Sequence, residues 1–219
     1  MKKPIIFCDF DGTVTDNDNI ISLMKQFAPP EWVPIKDRVL NQTITIQDGV
    51  SRMFSLIESD KKKEMIHFLK KTAAIREGFQ EFLEFAENRS IPFYIVSGGM
   101  DFFVEPLLDP YGPIKEIYCN QASFKGEFVE IKWPYPCDKE CQNGCGCCKP
   151  TIIRSLSREE HFTIVIGDSI TDLEAAKQAD LVLARDFLSK ACEKQGIRYI
   201  PFETFFDCRA ILEQNLEVV

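Results

Sequence analysis

The chain has 219 residues, of which 45% are hydrophobic, so it can bury a substantial core. Its 26 basic and 34 acidic residues give a formal net charge of −8, and its only basic run, residues 61–63, is typical of a solvated helix end. Nucleic acid is therefore not expected as a partner. The apolar stretch after the basic N-terminus stops at Asp9, which is too short for a signal peptide or a membrane span. We expect a cytoplasmic protein without a membrane partner.

The first apolar run, at residues 4–8, predicts a buried strand that leads into a polar turn. Asp9 and Asp11 lie just past its carboxyl end, and side chains two positions apart on an extended segment project to the same side. From residue 20 to residue 74 the apolar spacing is helical, and no convincing strand interrupts it. This stretch predicts a helical block.

Two further apolar runs, at residues 92–96 and 162–166, predict buried strands that end in glycine-bearing turns, Ser97-Gly98-Gly99 and Gly167-Asp168. Weaker patterns predict helices and short strands at residues 79–86, 114–129, 170–179 and 181–183. Strands and helices that alternate in this way predict an α/β fold with an open, Rossmann-like parallel sheet. Because ligands of such a sheet bind at the carboxyl ends of its strands, the helical block would lie beside the site.

Clustered carboxylates at this edge suit the chemistry of a phosphate ester. Such an ester is dianionic at neutral pH, so an anionic nucleophile needs a cation to screen the repulsion, and Asp9, Asp11 and Asp168 could hold Mg²⁺. One of the first two would attack phosphorus while the other serves as acid and then as base. Gly12 and Thr13 would add a backbone amide and a hydroxyl for the phosphoryl oxygens. A single aspartate at a strand end is more often a turn or helix cap, so the argument depends on the whole set.

Four segments resemble, in the right order, the signatures of the haloacid dehalogenase superfamily. Residues 9–14, Asp-Phe-Asp-Gly-Thr-Val, resemble the first signature, and residues 97–99 resemble the second. Lys149 resembles the third, and residues 167–172, Gly-Asp-Ser-Ile-Thr-Asp, resemble the fourth. Each segment alone is a weak signal, but the set identifies the chain as a member of the superfamily.

The resemblance implies roles for the site residues. Asp9 would form an aspartyl-phosphate, and Asp11 would protonate the leaving oxygen and then activate water. An aspartate at position 11 separates phosphatases and phosphotransferases from the dehalogenases of the superfamily. Ser97 and Gly98 would contact the phosphoryl group, while Lys149 would neutralise nucleophile and phosphate.

The resemblance also implies how a metal is held. Asp9, Asp11 and Asp168 would bind Mg²⁺, and Asp172 would support its coordination shell.

A helical cap inserted after the first signature is the arrangement of phosphoserine phosphatases. It implies an α/β core of residues 1–14 and 75–219 with a cap of residues 15–74. Asp18 lies where those phosphatases place an acidic substrate contact, and Arg52 falls near their substrate-binding arginine; the alternative for both is a surface charge. The residues themselves indicate only that the substrate is a small phosphate ester. The resemblance extends to phosphatases that act on phosphoserine, phosphoethanolamine and phosphocholine.

Five of the nine cysteines lie within twelve residues: Cys137, Cys141, Cys145, Cys147 and Cys148. The odd total, without an export signal, argues against a disulfide framework. Thiolates so close together could bind Zn²⁺, although their spacing departs from the usual paired CxxC arrangement. The alternative is a set of thiols packed in a loop that positions the adjacent lysine. A zinc-binding module would be a different class of protein, and it leaves the three strand-end motifs unexplained.

The segment from Gly167 to Ile170 also resembles the block that carries the nucleophile of some serine esterases. That chemistry needs a histidine base beyond the serine. His67 and His161 are the only histidines and both precede Ser169, so we expect them on a helix surface and at a strand entrance.

Overall fold

A computed structural model describes residues 2–141 and 143–216, and its centre is a seven-stranded sheet with strand order β4-β3-β2-β1-β5-β6-β7. The strands are β1 (Lys3–Cys8), β2 (Phe93–Met100), β3 (Glu116–Ser123), β4 (Glu130–Lys132), β5 (His161–Gly167), β6 (Leu181–Ala184) and β7 (Ile200–Pro201). All neighbouring strands pair in parallel except β3 and β4, which are antiparallel. The predicted α/β fold with a mostly parallel sheet is confirmed.

The three strands that carry the predicted motifs are neighbours in the middle of the sheet. β1 pairs with β2 through Ile6 and Phe93, and with β5 through Ile6 and Ile164. These strands are apolar along nearly their whole length because helices cover both faces of a parallel sheet. The chain first builds the sheet outward from β1 through β2 and β3 to β4, and then resumes on the other side of β1 with β5. The crevice between β1 and β5 is therefore the switch point at which such sheets bind ligands.

Within the part of the chain that the structure describes, ten α-helices accompany the sheet: α1 (Asn19–Phe27), α2 (Trp32–Leu40), α3 (Ile46–Phe54), α4 (Lys62–Thr72), α5 (Phe79–Asn88), α6 (Asp101–Leu108), α7 (Lys149–Leu156), α8 (Leu173–Ala176), α9 (Asp186–Gln195) and α10 (Phe205–Leu216). Among the described residues, no helix combines the length and the apolar character that crossing a bilayer requires.

The helical block between β1 and α5 consists of α1 to α4, as its apolar spacing predicts. Its buried side chains, including Leu23, Met53 and Met65, join the same hydrophobic cluster as one face of the sheet. Phe54 makes an edge-to-face contact with Phe102 of α6 at a centroid distance of 6.3 Å. The block is therefore tied to the sheet by apolar packing as well as by the chain.

The chain leaves the sheet for the helical block and returns to it through two segments that pair with each other. Thr15 and Ile75 form an antiparallel bridge, Asp16 donates its amide to the Ala74 carbonyl at 3.0 Å, and the Arg76 amide donates to the Val14 carbonyl at 2.8 Å. The division into a core of residues 1–14 and 75–219 and a cap of residues 15–74 stays a prediction.

The second motif lies inside a strand rather than after it. β2 continues through Ser97, Gly98 and Gly99 to Met100, but its pairing with β3 shifts register between Val96 and Met100. Glycines have no side chain to pack on a neighbouring strand, and irregular pairing is common where they occur. The strand thus ends four residues later than predicted.

Candidate active site

Asp9 follows β1 directly and is only 6% exposed. Its amide donates to the Ile166 carbonyl of β5 at 2.9 Å, which fixes the backbone at the switch point. Its Oδ1 accepts from the amide of Phe10 at 2.7 Å and lies 2.7 Å from the Lys149 ammonium. The other carboxylate oxygen is left for a reacting group or a metal.

Lys149, the first residue of α7, lies buried between two carboxylates. Its Nζ is 2.7 Å from Asp9 Oδ1 and 2.5 Å from Asp172 Oδ1. Burial opposes the charge, but the attraction of Asp172 and Asp9 outweighs it and raises the pKa of Lys149 above its usual value. The two carboxylates therefore favour the charged form of Lys149 beside the candidate nucleophile.

Asp172 is held from all sides and is 1% exposed. Its Oδ1 binds Lys149, and its Oδ2 accepts from the amides of Asp168 and Ser169 at 3.2 and 3.0 Å and from the Ser169 hydroxyl at 3.1 Å. Asp172 and Ser169 together form a capping box at the start of the helical turn that follows β5. Both carboxylate oxygens of Asp172 are therefore used in contacts that position Lys149 and the backbone of Asp168.

The carboxylates of Asp9, Asp168 and Asp172 lie close enough to share a cation, with one oxygen of each within 4.8 Å of the others. Burial and the charge of Asp172 raise the pKa of Asp168 to about 6, and the same two causes raise the pKa of Asp9. When ionised, the three carboxylates outweigh the single charge of Lys149 by two. Hard oxygen ligands with a double negative excess suit Mg²⁺.

Asp11 lies on a turn and not on an extended segment, because Gly12 turns the chain with a φ of 83°. Its Oδ1 accepts from the amide and the side-chain amide of Asn19, at 3.0 and 2.7 Å. Its side chain is outside the described group of three carboxylates that could share a cation. Burial and the charge of Asp18 raise the pKa of Asp11 to about 7, against the opposing effect of the Asn19 bonds. A carboxyl group with a pKa near neutrality can both donate and accept a proton.

Gly12 is in contact with the candidate metal ligand Asp168. A Cβ at this position would lie 2.4 Å from Asp168 Oδ2, so a side chain would displace the Asp168 carboxylate. The Thr13 hydroxyl donates to Asp168 Oδ1 at 2.7 Å, and its contact with a phosphoryl group stays a prediction. Here the first motif orients the fourth.

Ser97 and Gly98 lie at the same edge of the sheet with different surroundings. Ser97 is fully buried, and its oxygen accepts from the Gly99 amide at 2.9 Å. No acceptor for its own proton is found among the described residues. Gly98 is exposed with open space where a Cβ would stand, and its carbonyl accepts from Asn120 at 2.8 Å. A phosphoryl oxygen placed in the open space at Gly98 could accept a hydrogen bond from the Ser97 hydroxyl.

The two predicted cap contacts have partners within the helical block. Asp18 caps α1, where its Oδ1 accepts from the Ile21 amide at 2.9 Å. Arg52 of α3 donates to Asp48 Oδ1 at 2.8 Å, and its side chain is half exposed. Contacts of Asp18 and Arg52 with a substrate stay predictions.

Sequence reasoning missed three residues that hold the site together. Arg76 donates to the carbonyls of Thr13, Gly12 and Thr15 at 2.7, 2.9 and 3.3 Å. Asn19 holds Asp11, and Asn120 holds the Gly98 carbonyl. A single arginine or asparagine carries no periodic signal, and Arg76 and Asn120 act across large separations in the chain.

The surroundings of Ser169 do not support the alternative hypothesis of a serine esterase. The Ser169 hydroxyl bonds to Thr171 and Asp172. His67 lies exposed on α4, and His161 begins β5, where its Nδ1 accepts from the Arg158 amide. The predicted places of both histidines, on a helix surface and at a strand entrance, are confirmed.

Comparison with known proteins agrees with this geometry. The haloacid dehalogenase-like hydrolase family matches residues 6–177. The 2-hydroxy-3-keto-5-methylthiopentenyl-1-phosphate phosphatase of Geobacillus kaustophilus (strain HTA426) is 55% identical over 218 residues, which cover 100% of this chain and 99% of that protein. A protein of the same name from Bacillus mycoides (strain KBAB4) is 57% identical over 213 residues, 97% of each chain.

Solved structures with the same fold include phosphoserine phosphatases. A phospho-aspartyl intermediate analogue of phosphoserine phosphatase superposes with a TM-score of 0.66 at 23% identity and covers 98% of this chain and 99% of that one. Phosphoserine phosphatase from T. onnurineus gives a TM-score of 0.71 at 16% identity, covering 97% and 94%. The strand-end motifs, the fold and the near full-length relatives agree, and the chain belongs to the haloacid dehalogenase-like hydrolases.

Proposed function

We propose that this protein is a Mg²⁺-dependent phosphatase that converts 2-hydroxy-3-keto-5-methylthiopentenyl-1-phosphate to the acireductone 1,2-dihydroxy-3-keto-5-methylthiopentene in methionine salvage. The enzyme class, a phosphoric monoester hydrolase, follows from the family and from relatives that are named phosphatases over the full chain. The substrate is inferred from the names of those relatives. Placement in the cytoplasm stays a prediction.

The observation that carries the chemistry is the buried pair of Asp9 and Lys149. The Asp9 carboxylate attacks phosphorus, and the bond from phosphorus to the leaving oxygen breaks, which leaves an aspartyl-phosphate. Lys149, 2.7 Å from Asp9, offsets the negative charge of nucleophile and phosphoryl group.

Asp11 moves the proton in both halves of the reaction. It gives its proton to the leaving oxygen and then takes one from the water that attacks the aspartyl-phosphate, so that phosphate leaves and Asp9 is restored. Its raised pKa, about 7, suits both roles.

The residues at the site fit a magnesium ion. Asp9 and Asp168 would hold it with carboxylate oxygens, while Asp172 stays bound to Lys149 and to the backbone of Asp168. Bound Mg²⁺ supplies charge that lets an anionic nucleophile approach an anionic ester. Asp11 as a metal ligand stays a prediction, since its carboxylate faces Asn19.

The proposal is tested by comparing kcat/KM for several phosphomonoesters in the presence of Mg²⁺. We expect the methylthiopentenyl phosphate to exceed phosphoserine, phosphoethanolamine and phosphocholine by at least about tenfold, the scale of one charged contact in the substrate pocket. A preference for phosphoserine would keep the phosphatase and replace its substrate. A purified, folded protein that hydrolyses none of the four would refute the proposal.

A further inference from the structure

Four of the five clustered cysteines converge on one point. The Sγ atoms of Cys137, Cys141, Cys145 and Cys148 all lie within 4.8 Å of one another. The distance between Cys141 and Cys145 Sγ is 3.9 Å. Two thiolates on a tetrahedral zinc ion, with Zn–S bonds of about 2.3 Å, lie about 3.8 Å apart. A disulfide would need about 2.05 Å, and all nine cysteines are free thiols.

We propose that these four cysteines bind one structural Zn²⁺ ion, at a site separate from the catalytic carboxylates. Four thiolates complete the tetrahedral shell of zinc and leave no position for water or substrate, so the site is structural. Soft sulfur ligands also select zinc over Mg²⁺, which prefers oxygen. The two metals therefore do not compete for each other's ligands.

The fifth cysteine shows that the convergence is selective. Cys147 lies between two proposed ligands in sequence, yet its Sγ faces the Tyr118 carbonyl at 3.6 Å. It packs with Ile152 and Ile153 in an apolar cluster. Simple crowding of thiols in a short loop would not separate Cys147 from its neighbours in this way.

Polar groups around the cluster are arranged as supports for thiolate ligands. The Thr151 hydroxyl donates to Cys148 Sγ at 3.0 Å. Arg154 forms a two-pronged ion pair with Asp138, with distances of 3.0 Å from Nε and 2.6 Å from Nη2, which fixes the loop just after Cys137 against α7. Donors and fixed backbone around metal ligands hold them in orientation.

The position of the cluster indicates what the zinc does. Cys148 directly precedes Lys149 and is the cap residue of α7. Within the loop, Gly144, which directly precedes Cys145, lies against Thr45 of the helical block, and its carbonyl accepts from the Gln47 amide at 3.5 Å. A zinc ion would therefore join the segment that begins at the catalytic lysine to the segment that contacts α3.

The test is the zinc content of the untagged, purified protein, measured by inductively coupled plasma mass spectrometry after gel filtration. We expect about one zinc per chain, as a closed four-thiolate site binds one ion. Cys137→Ser and Cys145→Ser, the two more exposed ligands, should each lose most of it. Cys147→Ala is the matched control and should keep the wild-type zinc content. Asp168→Ala should also keep its zinc, which separates this site from the magnesium site.

A second measurement on the wild-type protein covers the case in which the serine variants do not fold. Replacement of zinc by Co²⁺ should give the strong thiolate-to-cobalt absorption of a tetrahedral sulfur site, and a mercurial reagent should release the metal as it blocks the thiols. Wild-type protein with less than about a tenth of an equivalent of zinc, after growth with added zinc and anaerobic purification, would overturn the proposal. So would iron in place of zinc, disulfides found by intact mass, or equal zinc loss in Cys147→Ala.

Discussion

At the scale of single residues, the site depends on a glycine at position 12, because a side chain there would collide with Asp168. Gly12 has a φ of 83°, and a Cβ there would meet Asp168 at 2.4 Å. Gly196, at the end of α9, has a φ of 68° but nothing within 4 Å of its Cβ position. The two glycines share the left-handed conformation and differ only in what surrounds them.

This pair gives a prediction with an internal control. Gly196→Ala should lower the free energy of unfolding by about 1–2 kcal/mol, because alanine is strained in the left-handed region. Gly12→Ala should lower it by at least as much, because its Cβ also collides with Asp168. Only Gly12→Ala should also lower kcat/KM, by at least about a hundredfold, since displacing Asp168 disturbs the reacting geometry. Urea unfolding and steady-state kinetics measure both. Wild-type kinetics in folded Gly12→Ala would show that the contact with Asp168 does not matter for catalysis.

At the scale of elements, Arg76 joins the turn after β1 to the segment that returns from the helical block. It is 8% exposed, and it binds the carbonyls of Gly12, Thr13 and Thr15 together with the carboxylate of Asp16 at 3.0 Å. Removing it leaves buried carbonyls without donors, which costs more than the bonds themselves contribute.

Arg76→Ala should therefore lower the free energy of unfolding by roughly 2–4 kcal/mol and reduce kcat, because the turn that carries Asp11 loses its support. Arg89→Ala removes an exposed arginine that lies over the Phe85 ring and should cost less than about 1 kcal/mol. Denaturant unfolding compares the two. Equal stability of both variants would mean that Arg76 does not hold the turn.

The helices of the block are the elements in which we expect substrate selection, since the strand-end residues are proposed to contact only phosphate and metal. Arg52→Ala should lower kcat/KM for the preferred ester by about tenfold or more while leaving p-nitrophenyl phosphate nearly unchanged. Arg38→Ala, in the last turn of α2, serves as the control for a lost cap charge. Equal losses on both substrates would place Arg52 in folding, and no loss on either would make it a surface charge.

At the scale of the whole molecule, the order of the strands explains how distant motifs become one site. Asp9 and Asp168 are 159 positions apart, yet they follow β1 and β5, which pair directly. Lys149 is the first residue of α7, which packs on one face of the sheet through Ile152 and Ile153. The resulting excess of negative charge is the feature that a divalent cation would balance.

Metal removal tests this balance. Turnover should vanish with EDTA and return with added Mg²⁺, and Asp168→Ala should reproduce the effect of chelation, because the remaining carboxylates cannot hold the ion. Phosphate release measured at a range of Mg²⁺ concentrations gives the result. Undiminished turnover in protein shown to be free of magnesium would contradict the assignment.

Local sequence patterns predicted the central strands and the strand-end carboxylates because each buried strand is a short apolar run that stops at polar residues. The edge strand β7 and the helices α6, α7, α9 and α10 were not predicted. Two helices illustrate how weak the apolar spacing of a helix can be. α2 buries only Trp32 and so has little apolar period, and α6 carries Pro106 within an almost wholly apolar stretch. The contacts made by Arg76 and Asn120 are long-range, and no local pattern encodes which polar side chain will return to a given carbonyl. The roles of Arg76 and Asn120 could therefore be identified only from the three-dimensional structure.

The most direct test of the central claim is the rate of phosphate release by Asp9→Asn with Mg²⁺ and a saturating concentration of the preferred ester. An amide cannot form the acyl-phosphate, so we predict a loss of at least about a thousandfold in kcat. The near-isosteric change should leave a cooperative thermal melt, and intact mass should exclude deamidation back to aspartate. A folded Asp9→Asn protein that releases phosphate at close to the wild-type rate would show that Asp9 is not the nucleophile.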